Sequence, residues 1–433
     1  MRKFFLRTFG CQMNVSDSEI VEAILIQAGY EKTYNMSTAD VILFNTCSVR
    51  DRAEQSLYKQ VRQIKKISNN TVIVGVLGCM AQRLKDQLLE NDNIDFVLGV
   101  DEYRHIVDFI EDIYRTKEKR ILAEFYEEEF YDNIKPRYGN TISAFVPIIR
   151  GCNNYCTYCV VPYTRGREKS RDFNSIISEI KDLQERGYKE VTLLGENVNS
   201  YRYAAHDFAS LLEALATTVP TMRIRFTSSN PQDISLQLVQ TIKRHDNICR
   251  HLHLPLQSGS NRMLRLMNRK YTREEYLDKI KMLHEELPGC SITTDIICGF
   301  CDETEKDHQE TLDVMSSVPF DSSFTFIYSE RSGTFAEKNL HDNIPLTTKH
   351  RRLEEVIALQ KRLSEQQNDK YVGSDVEILV EGPSKRDKRE FCGRTGTNKV
   401  VIFNNTNKQI HPGDFITLHI MKITSATLFG VSV

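Results

Sequence analysis

Along residues 1–117, short apolar β-rich runs at 4–7, 41–44, 72–77 and 94–98 alternate with stretches whose apolar positions recur at helical spacing. Strand–helix alternation of this length implies a parallel sheet. The first helical pattern opens on Ser16-Asp17-Ser18-Glu19, read as a capping box in which Ser16 and Glu19 satisfy free amides reciprocally, and closes at Gly29. The alternation resumes after 141, with strands predicted at 145–149, 191–194, 222–226, 251–254, 291–297 and 323–327 and helical stretches such as 175–186 between them. Six such units predict a partial (β/α)6 barrel with its chemistry at the carboxyl ends of the strands. A long helical pattern over 349–370 then leads to strands predicted at 376–380, 400–403, 415–420 and 427–431, a small all-β barrel of the kind that holds oligonucleotides.

The chain therefore reads as an α/β multidomain protein, with a parallel-sheet α/β domain over 1–117 and a linker over 118–140. A barrel core over 141–370 and a small all-β barrel over 371–433 complete it. The acidic and aromatic run 124–131 in the linker reads as solvated. Of the 433 residues, 40% are hydrophobic and 27% charged, as in a globular protein. The net charge of −2 excludes a massively basic nucleic-acid coat, leaving local patches such as Lys385, Arg386, Lys388 and Arg389. No apolar run reaches the length of a membrane span, and the apolar stretch after Met1 is too short for a signal peptide. Eleven cysteines in such a chain point to a reducing compartment where thiolates serve metals, so the protein reads as cytoplasmic and away from membranes.

Candidate chemistry concentrates in Cys152-Asn153-Asn154-Tyr155-Cys156-Thr157-Tyr158-Cys159, directly after the first core strand and Gly151. Three thiolates at this spacing can hold three corners of a cubane iron–sulfur cluster, leaving one iron open. A structural zinc site wants four closed ligands, and a disulfide framework belongs to short secreted chains. Cys11, Cys47 and Cys79 each follow one of the first three strands, so a parallel sheet brings them to one edge. Each alone reads as a small buried hydrophobe; together they predict a second three-thiolate site. Cys249, Cys290 and Cys392 read as core, Cys298 and Cys301 as incidental, and His251 and His253 as packed near the fourth core strand.

With both triads placed, the whole chain resembles the radical S-adenosylmethionine (SAM) methylthiotransferases. The motifs are Thr8-Phe9-Gly10-Cys11-Gln12-Met13-Asn14, Asn45-Thr46-Cys47, Gly78-Cys79, Arg150-Gly151-Cys152 and the stretch from Val161 through Thr164, Arg165, Gly166 and Arg167 to Ser170. The stretches His253 to Ser260 and Tyr328 to Thr334 also fit. Where the family often has Gly-Phe-Pro-Gly-Glu-Thr, this chain has Gly299-Phe300-Cys301-Asp302-Glu303-Thr304. Gln12-Met13-Asn14 matches the MiaB-type branch, which modifies isopentenylated adenosine beside the tRNA anticodon (position 37). The other branches act on threonylcarbamoyladenosine or on a ribosomal protein aspartate.

The resemblance implies two [4Fe–4S] clusters and SAM, which serves as methyl donor and as the source of a 5′-deoxyadenosyl radical. It implies methylthiolation at C2 of the adenine, an auxiliary cluster on Cys11, Cys47 and Cys79, and a C-terminal TRAM barrel for the anticodon stem-loop. Tyr158, Gly195, Glu196, Gln257 and Asp295 are then expected around SAM. Arg165 and Arg167 are expected at RNA phosphates or the SAM carboxylate, or as structural ion-pair partners, and Lys385, Arg386, Lys388 and Arg389 at RNA. Further partners implied are a flavodoxin- or ferredoxin-type electron donor and a sulfur source, with the chain a monomer. The reading from a different class is a non-catalytic, metal-containing RNA-binding protein.

Overall fold

The computed structural model describes residues 1–48, 51–67, 72–126, 129–139, 142–405 and 409–432. In the N-terminal part, β1 (Lys3–Thr8), β2 (Glu31–Lys32), β3 (Val41–Thr46), β4 (Ile73–Gly78), β5 (Phe96–Leu98) and β6 (Arg120–Leu122) form one sheet in the order β2-β1-β3-β4-β5-β6. Every pair is parallel. Its strands alternate between two cores, as a sheet covered on both faces requires. Phe4, Leu43 and Leu77 pack with Ile20, Val21 and Leu25 of helix α1 (Gln12–Gln27). Ile42, Phe44, Val74 and Val76 pack on the other face, with Leu57 and Val61 of α2 (Asp51–Ile67) and Met80 of α3 (Cys79–Leu84). The chain reverses direction across the sheet at β1 and β3, the switch point where open α/β sheets bind ligands.

Two local expectations fail in this part. Helix α1 begins after Cys11 rather than at Ser16, because Asn14 is drawn onto β3: its side-chain amide donates to Asn45 Oδ1 (3.0 Å) and Thr46 O (3.1 Å). Ser16 and Glu19 thus lie inside the helix, and Glu19 accepts from Gly139 N at 2.9 Å instead. The stretch expected as linker supplies β6, and Tyr131 is 2% exposed, stacked on Tyr103 and donating to Val100 O. Its run is aromatic as well as acidic, and the aromatic ring found a core. Residues 127–128 and the 140/141 boundary lie outside the described residues.

The core continues with β7 (Ser143–Pro147), a two-residue ribbon of β8 (Ile149–Arg150) and β9 (Lys169–Ser170), and β10 (Glu190–Leu194). A hairpin, β11 (Arg202–Tyr203) and β12 (His206–Asp207), precedes β13 (Arg223–Thr227), β14 (His251–His253), β15 (Ser291–Cys298) and β16 (Ser322–Ile327). The parallel strands run β7-β10-β13 and β14-β15-β16, joined where Ile224 N donates to Asn247 O (2.8 Å) and Cys249 N to Ile224 O (2.9 Å). Among the described residues β16 does not pair with β7, so the barrel is partial. Pro147 is tolerated in β7 because β7 is an edge strand: Ile148 N still donates to Leu194 O of β10 (2.9 Å), and the missing proline N–H falls on the unpaired side. Residues 151–168 then form one long loop closed by β8 and β9, and this loop carries the second cysteine triad.

The last segment is a closed barrel of β17 (Asp375–Pro383), β18 (Glu390–Thr395), β19 (Val400–Asn404), β20 (Phe415–Ile423) and β21 (Leu428–Ser432). Strand β18 was not evident in the sequence, where Cys392-Gly393-Arg394 breaks the alternation. The small barrel docks on the amino ends of β10 and β13, the end away from the cysteines. Arg225 donates to Glu190 Oε2 (2.7 Å) and to Thr395 O (2.7 Å), and Arg223 to Arg394 O (2.8 Å). Replacing Arg225 by alanine leaves Glu190 buried and unpaired, so a loss of about 3–5 kcal/mol is expected. Thermal melting and limited proteolysis would show it as a lowered midpoint with early release of the C-terminal barrel.

Candidate active site

The first triad is built by strand ends. Cys11 N-caps α1 after β1, Cys47 follows β3, and Cys79 opens α3 after β4. Register Thr8↔Asn45 and Thr46↔Gly78 places the three side by side. Two glycines permit this approach: a side chain at Gly10 (φ +123°) would sit 2.5 Å from Cys47 Cβ, and one at Gly78 (φ +88°) 2.2 Å from Asn45 Oδ1. Asn14 accepts from Cys11 Sγ at 3.2 Å, and Arg165 Nε donates to Cys79 Sγ at 3.1 Å.

The second triad sits on the 151–168 loop, which three outside groups hold. Thr157 N donates to Met267 O (3.1 Å), and Ala336 N to Thr157 O (2.8 Å). The Asn268 amide donates to Asn154 O and Tyr155 O. Asn154 Nδ2 donates to Cys152 Sγ (3.3 Å) and Arg269 Nη1 to Cys156 Sγ (3.4 Å), while Cys159 N donates to Cys156 O (2.9 Å). Tyr158 lies partly buried against Phe300, edge to face at 6.2 Å. Arg269 was not expected in this site: nothing in the sequence links it to Cys156, 113 residues away.

Above the loop lie the residues expected around SAM. Gly195 follows β10 and donates from its N–H to Thr227 O (3.2 Å); Glu196 is next in the chain. Gln257 has a left-handed backbone (φ +68°), and its N–H donates to Asp295 O at 2.8 Å. Asp295 Oδ1 lies 3.4 Å from His253 Nε2. Glu196 Oε2 and Gln257 Oε1 are both buried with no protein partner. Two orphaned acceptors over a cysteine loop fit an ammonium-bearing ligand, because leaving them unsatisfied costs free energy that such a donor would recover.

Between the triads lies a buried ion cluster. Asp17, on α1 and 1% exposed, sits 2.6 Å from Arg165 Nη1 and accepts from Arg150 Nη2 at 3.0 Å. Arg165 Nε also lies 3.7 Å from Glu196 Oε1. Arg165 thereby touches a cysteine of the first triad and a carboxylate beside the second. Arg165 is 2% exposed, and its guanidinium is engaged by Asp17, the ion pair being one of the roles expected for it. Arg167 is exposed and makes no hydrogen bond or ion pair among the described residues. Asp17 lay hidden inside the expected capping box.

Burial sets the titration. The Cys152 thiol is pushed up to about 11 and Cys79 to about 12, each by desolvation, with Arg165 partly opposing it at Cys79. Burial also raises the Glu196 carboxyl, with Arg165 and Arg150 pulling it back. The thiol donors suit soft metal ligation, and the N–H groups aimed at three of them are of the kind that tune cluster thiolates. Among the described residues no three His, Cys, Asp or Glu side chains close around a single ion; thiolates at the corners of a cluster stand farther apart than those around one ion. Cys298 and Cys301 are buried at 1% and 0% exposure in two apolar clusters, and His251 bonds Thr293 Oγ1. In the C-terminal barrel Arg389 is paired with Asp387, whereas the side chains of Lys385, Arg386 and Lys388 carry no partner among the described residues.

The comparisons with known proteins define the class first. Uncharacterized protein family UPF0004 matches residues 3–99, the Radical SAM superfamily residues 146–315 and the TRAM domain residues 369–433. Two curated relatives named tRNA-2-methylthio-N(6)-dimethylallyladenosine synthase are similar over their full lengths. The protein from Phocaeicola vulgatus is 48% identical over 100% of this chain and 96% of its own length. That from Parabacteroides distasonis is 50% identical over 99% and 95%. The chain belongs to the tRNA-2-methylthio-N(6)-dimethylallyladenosine synthase family. Solved structures share the fold at low identity. A radical S-adenosylmethionine methyltransferase from Kitasatospora setae has TM-score 0.55 at 12% identity, covering 75% of this chain and 73% of that one. The cobalamin-dependent S-adenosylmethionine radical enzyme OxsB has TM-score 0.53 at 12% identity, covering 91% and 64%.

Two predictions follow from the charges. Changing Asp17 to Asn takes from two buried guanidinium groups the carboxylate they share, leaving Arg165 only its longer contact to Glu196, so a loss of about 3–5 kcal/mol is expected, visible as a lowered melting temperature. For the thiols the sign is set by raised values. Below about 9 they are protonated folded or unfolded and do not affect stability. As pH rises from about 9 towards 11–12, the metal-free fold loses stability because only the unfolded chain ionises. Iron uptake at neutral pH must release these protons and tighten as pH rises, which proton release measured during anaerobic iron loading would show.

Proposed function

We propose that this enzyme methylthiolates C2 of N6-isopentenyladenosine next to the anticodon of tRNA. The observation that carries this is the meeting of two three-cysteine sites across one buried arginine. Residues Cys152, Cys156 and Cys159 would hold one [4Fe–4S] cluster and Cys11, Cys47 and Cys79 the other. Bound there, the clusters and SAM supply one-electron cleavage to a carbon radical and the methylthio group, at a ring carbon too inert for acid–base catalysis.

The chain's own residues bind, orient and exclude water. Glu196 and Gln257 offer free acceptors to the SAM ammonium, Asp295 and its neighbour His253 lie beside them, and Tyr158 lines the same loop. Asn154, Arg165 and Arg269 donate to cysteine sulfurs and fix where the thiolates point. Lys385, Arg386 and Lys388 are free to meet phosphates. Arg389, half-satisfied by Asp387, contributes less. Because the small barrel docks away from the cysteines, an RNA held by both runs along the flank of the core. The names of the relatives agree with the Gln12-Met13-Asn14 branch and do not favour the threonylcarbamoyladenosine, ribosomal or non-catalytic readings.

The reading also takes in a flavodoxin- or ferredoxin-type reductant, a sulfur source, a monomeric state and a cytoplasmic location. No described helix is long and apolar enough to cross a membrane. The test is nucleoside mass spectrometry on isopentenylated anticodon stem-loop RNA incubated with reconstituted, reduced enzyme and SAM. A 2-methylthio product, abolished by C152A and by C11A, is expected. SAM cleavage without a thiomethylated nucleoside would reject the assigned substrate.

A further inference from the structure

A cavity of about 510 Å³ opens beside the ion cluster, with Arg165 in its floor. That volume lies within the roughly 300–1,000 Å³ of sites that take a small molecule or a single residue of a polymer. Three aromatic side chains line it: Phe125 and Tyr126 from the stretch after β6, and Tyr155 from the second cysteine loop. Each is more than two-fifths exposed, at 43%, 46% and 43%. Three exposed rings gathered in one concave site form the kind of contiguous apolar surface that marks a ligand-binding groove.

The chain that carries the first two rings is tied down at its backbone. Tyr126 N donates to Asp101 Oδ2 (3.1 Å), and Lys169 Nζ holds both Tyr126 O (2.6 Å) and Asp101 Oδ2 (2.8 Å). The Phe125 ring lies over Gly166, where a side chain would begin 3.2 Å from it. The charges at the wall sort themselves. Asp101 neutralises Lys169, Asp17 answers Arg165, and the half-buried Glu168 has its carboxyl raised by desolvation and bonded to Ser200. Arg167 alone is a cation with no partner among the described residues.

The geometry points to a base-stacking subsite for single-stranded RNA, in which Phe125, Tyr126 and Tyr155 receive an unstacked nucleobase and Arg167 its phosphate. Single-stranded RNA is held in this way, by aromatic faces on splayed bases and cations on the backbone. The base would be a neighbour of the reacting adenine, since Arg165 separates the cavity from the cysteines it touches. This inference rests on the RNA-modifying reading above. It gives the exposed rings after β6, in a stretch whose sequence reads as linker, a direct part in substrate choice.

The experiment titrates the full-length, anaerobically reconstituted enzyme against fluorescently labelled isopentenylated stem-loop RNA, following anisotropy, with SAM binding measured in parallel. Phe125→Ala is expected to weaken RNA binding roughly tenfold and to leave SAM binding unchanged. Phe125→Tyr should bind as the wild type does, and Phe125→Leu, which keeps apolar bulk without a stacking face, should resemble alanine. Arg167→Ala, an exposed change safe for folding, should reduce the salt slope of binding by about one unit. RNA binding within twofold of wild type for both Phe125→Ala and Arg167→Ala would overturn the subsite. So would full rescue by leucine, or a loss of SAM affinity matching the loss for RNA, which would make the cavity a cofactor site. Product formation by the wild type, read separately, decides the reaction itself, so failure of the subsite and failure of the reaction remain distinct.

Discussion

Asp17 with Arg150 and Arg165 is the interaction on which the arrangement depends. The carboxylate comes from the first helix of the N-terminal domain, and both guanidinium groups flank the cysteine loop of the barrel. Burying these charges costs several kcal/mol per ion, and their attraction at best offsets it. Such a cluster is a poor source of stability and a strict source of geometry: removing one member leaves another charged and dry. The two domains therefore have one register, in which Arg165 lies 3.1 Å from Cys79 Sγ and 3.7 Å from Glu196.

That register is what a two-site reaction needs. A parallel sheet delivers cysteines from strands far apart in sequence to its switch point, and a partial barrel presents a single loop with three more. Neither architecture alone sets a cysteine of one triad against an arginine carried on the loop of the other. The barrel's unpaired edge between β16 and β7 lies on the side where α1 packs on β7, so the open barrel and the docked sheet are complementary. The C-terminal barrel is tied on at the far end by Arg223 and Arg225, leaving the mouth clear for substrate.

Much of this was legible from the residues. The Cys152 loop announced itself by spacing, and Cys11, Cys47 and Cys79 by each following an apolar strand. Strand pattern gave most core elements because period-two and period-3.6 burial are local properties. What stayed hidden was settled by distant contacts. Asp17 looked like part of a cap, since Ser16 and Glu19 have the right spacing; the helix began earlier because Asn14 bonds to β3. Arg269 and Arg150 acquire roles only from partners more than a hundred residues away. Tyr131 was masked by acidic neighbours, β6 by its length of only three residues, and β18 by its glycine.

The most direct measurement is Mössbauer spectroscopy, with iron and sulfide quantification, on anaerobically reconstituted wild type and on the Cys47→Ala and Cys156→Ala variants. Two clusters in the wild type, with one retained by each variant, are expected if the two triads are separate sites fixed face to face. A single cluster in the wild type, or full iron retained when Cys47 is lost, would contradict the two-site arrangement.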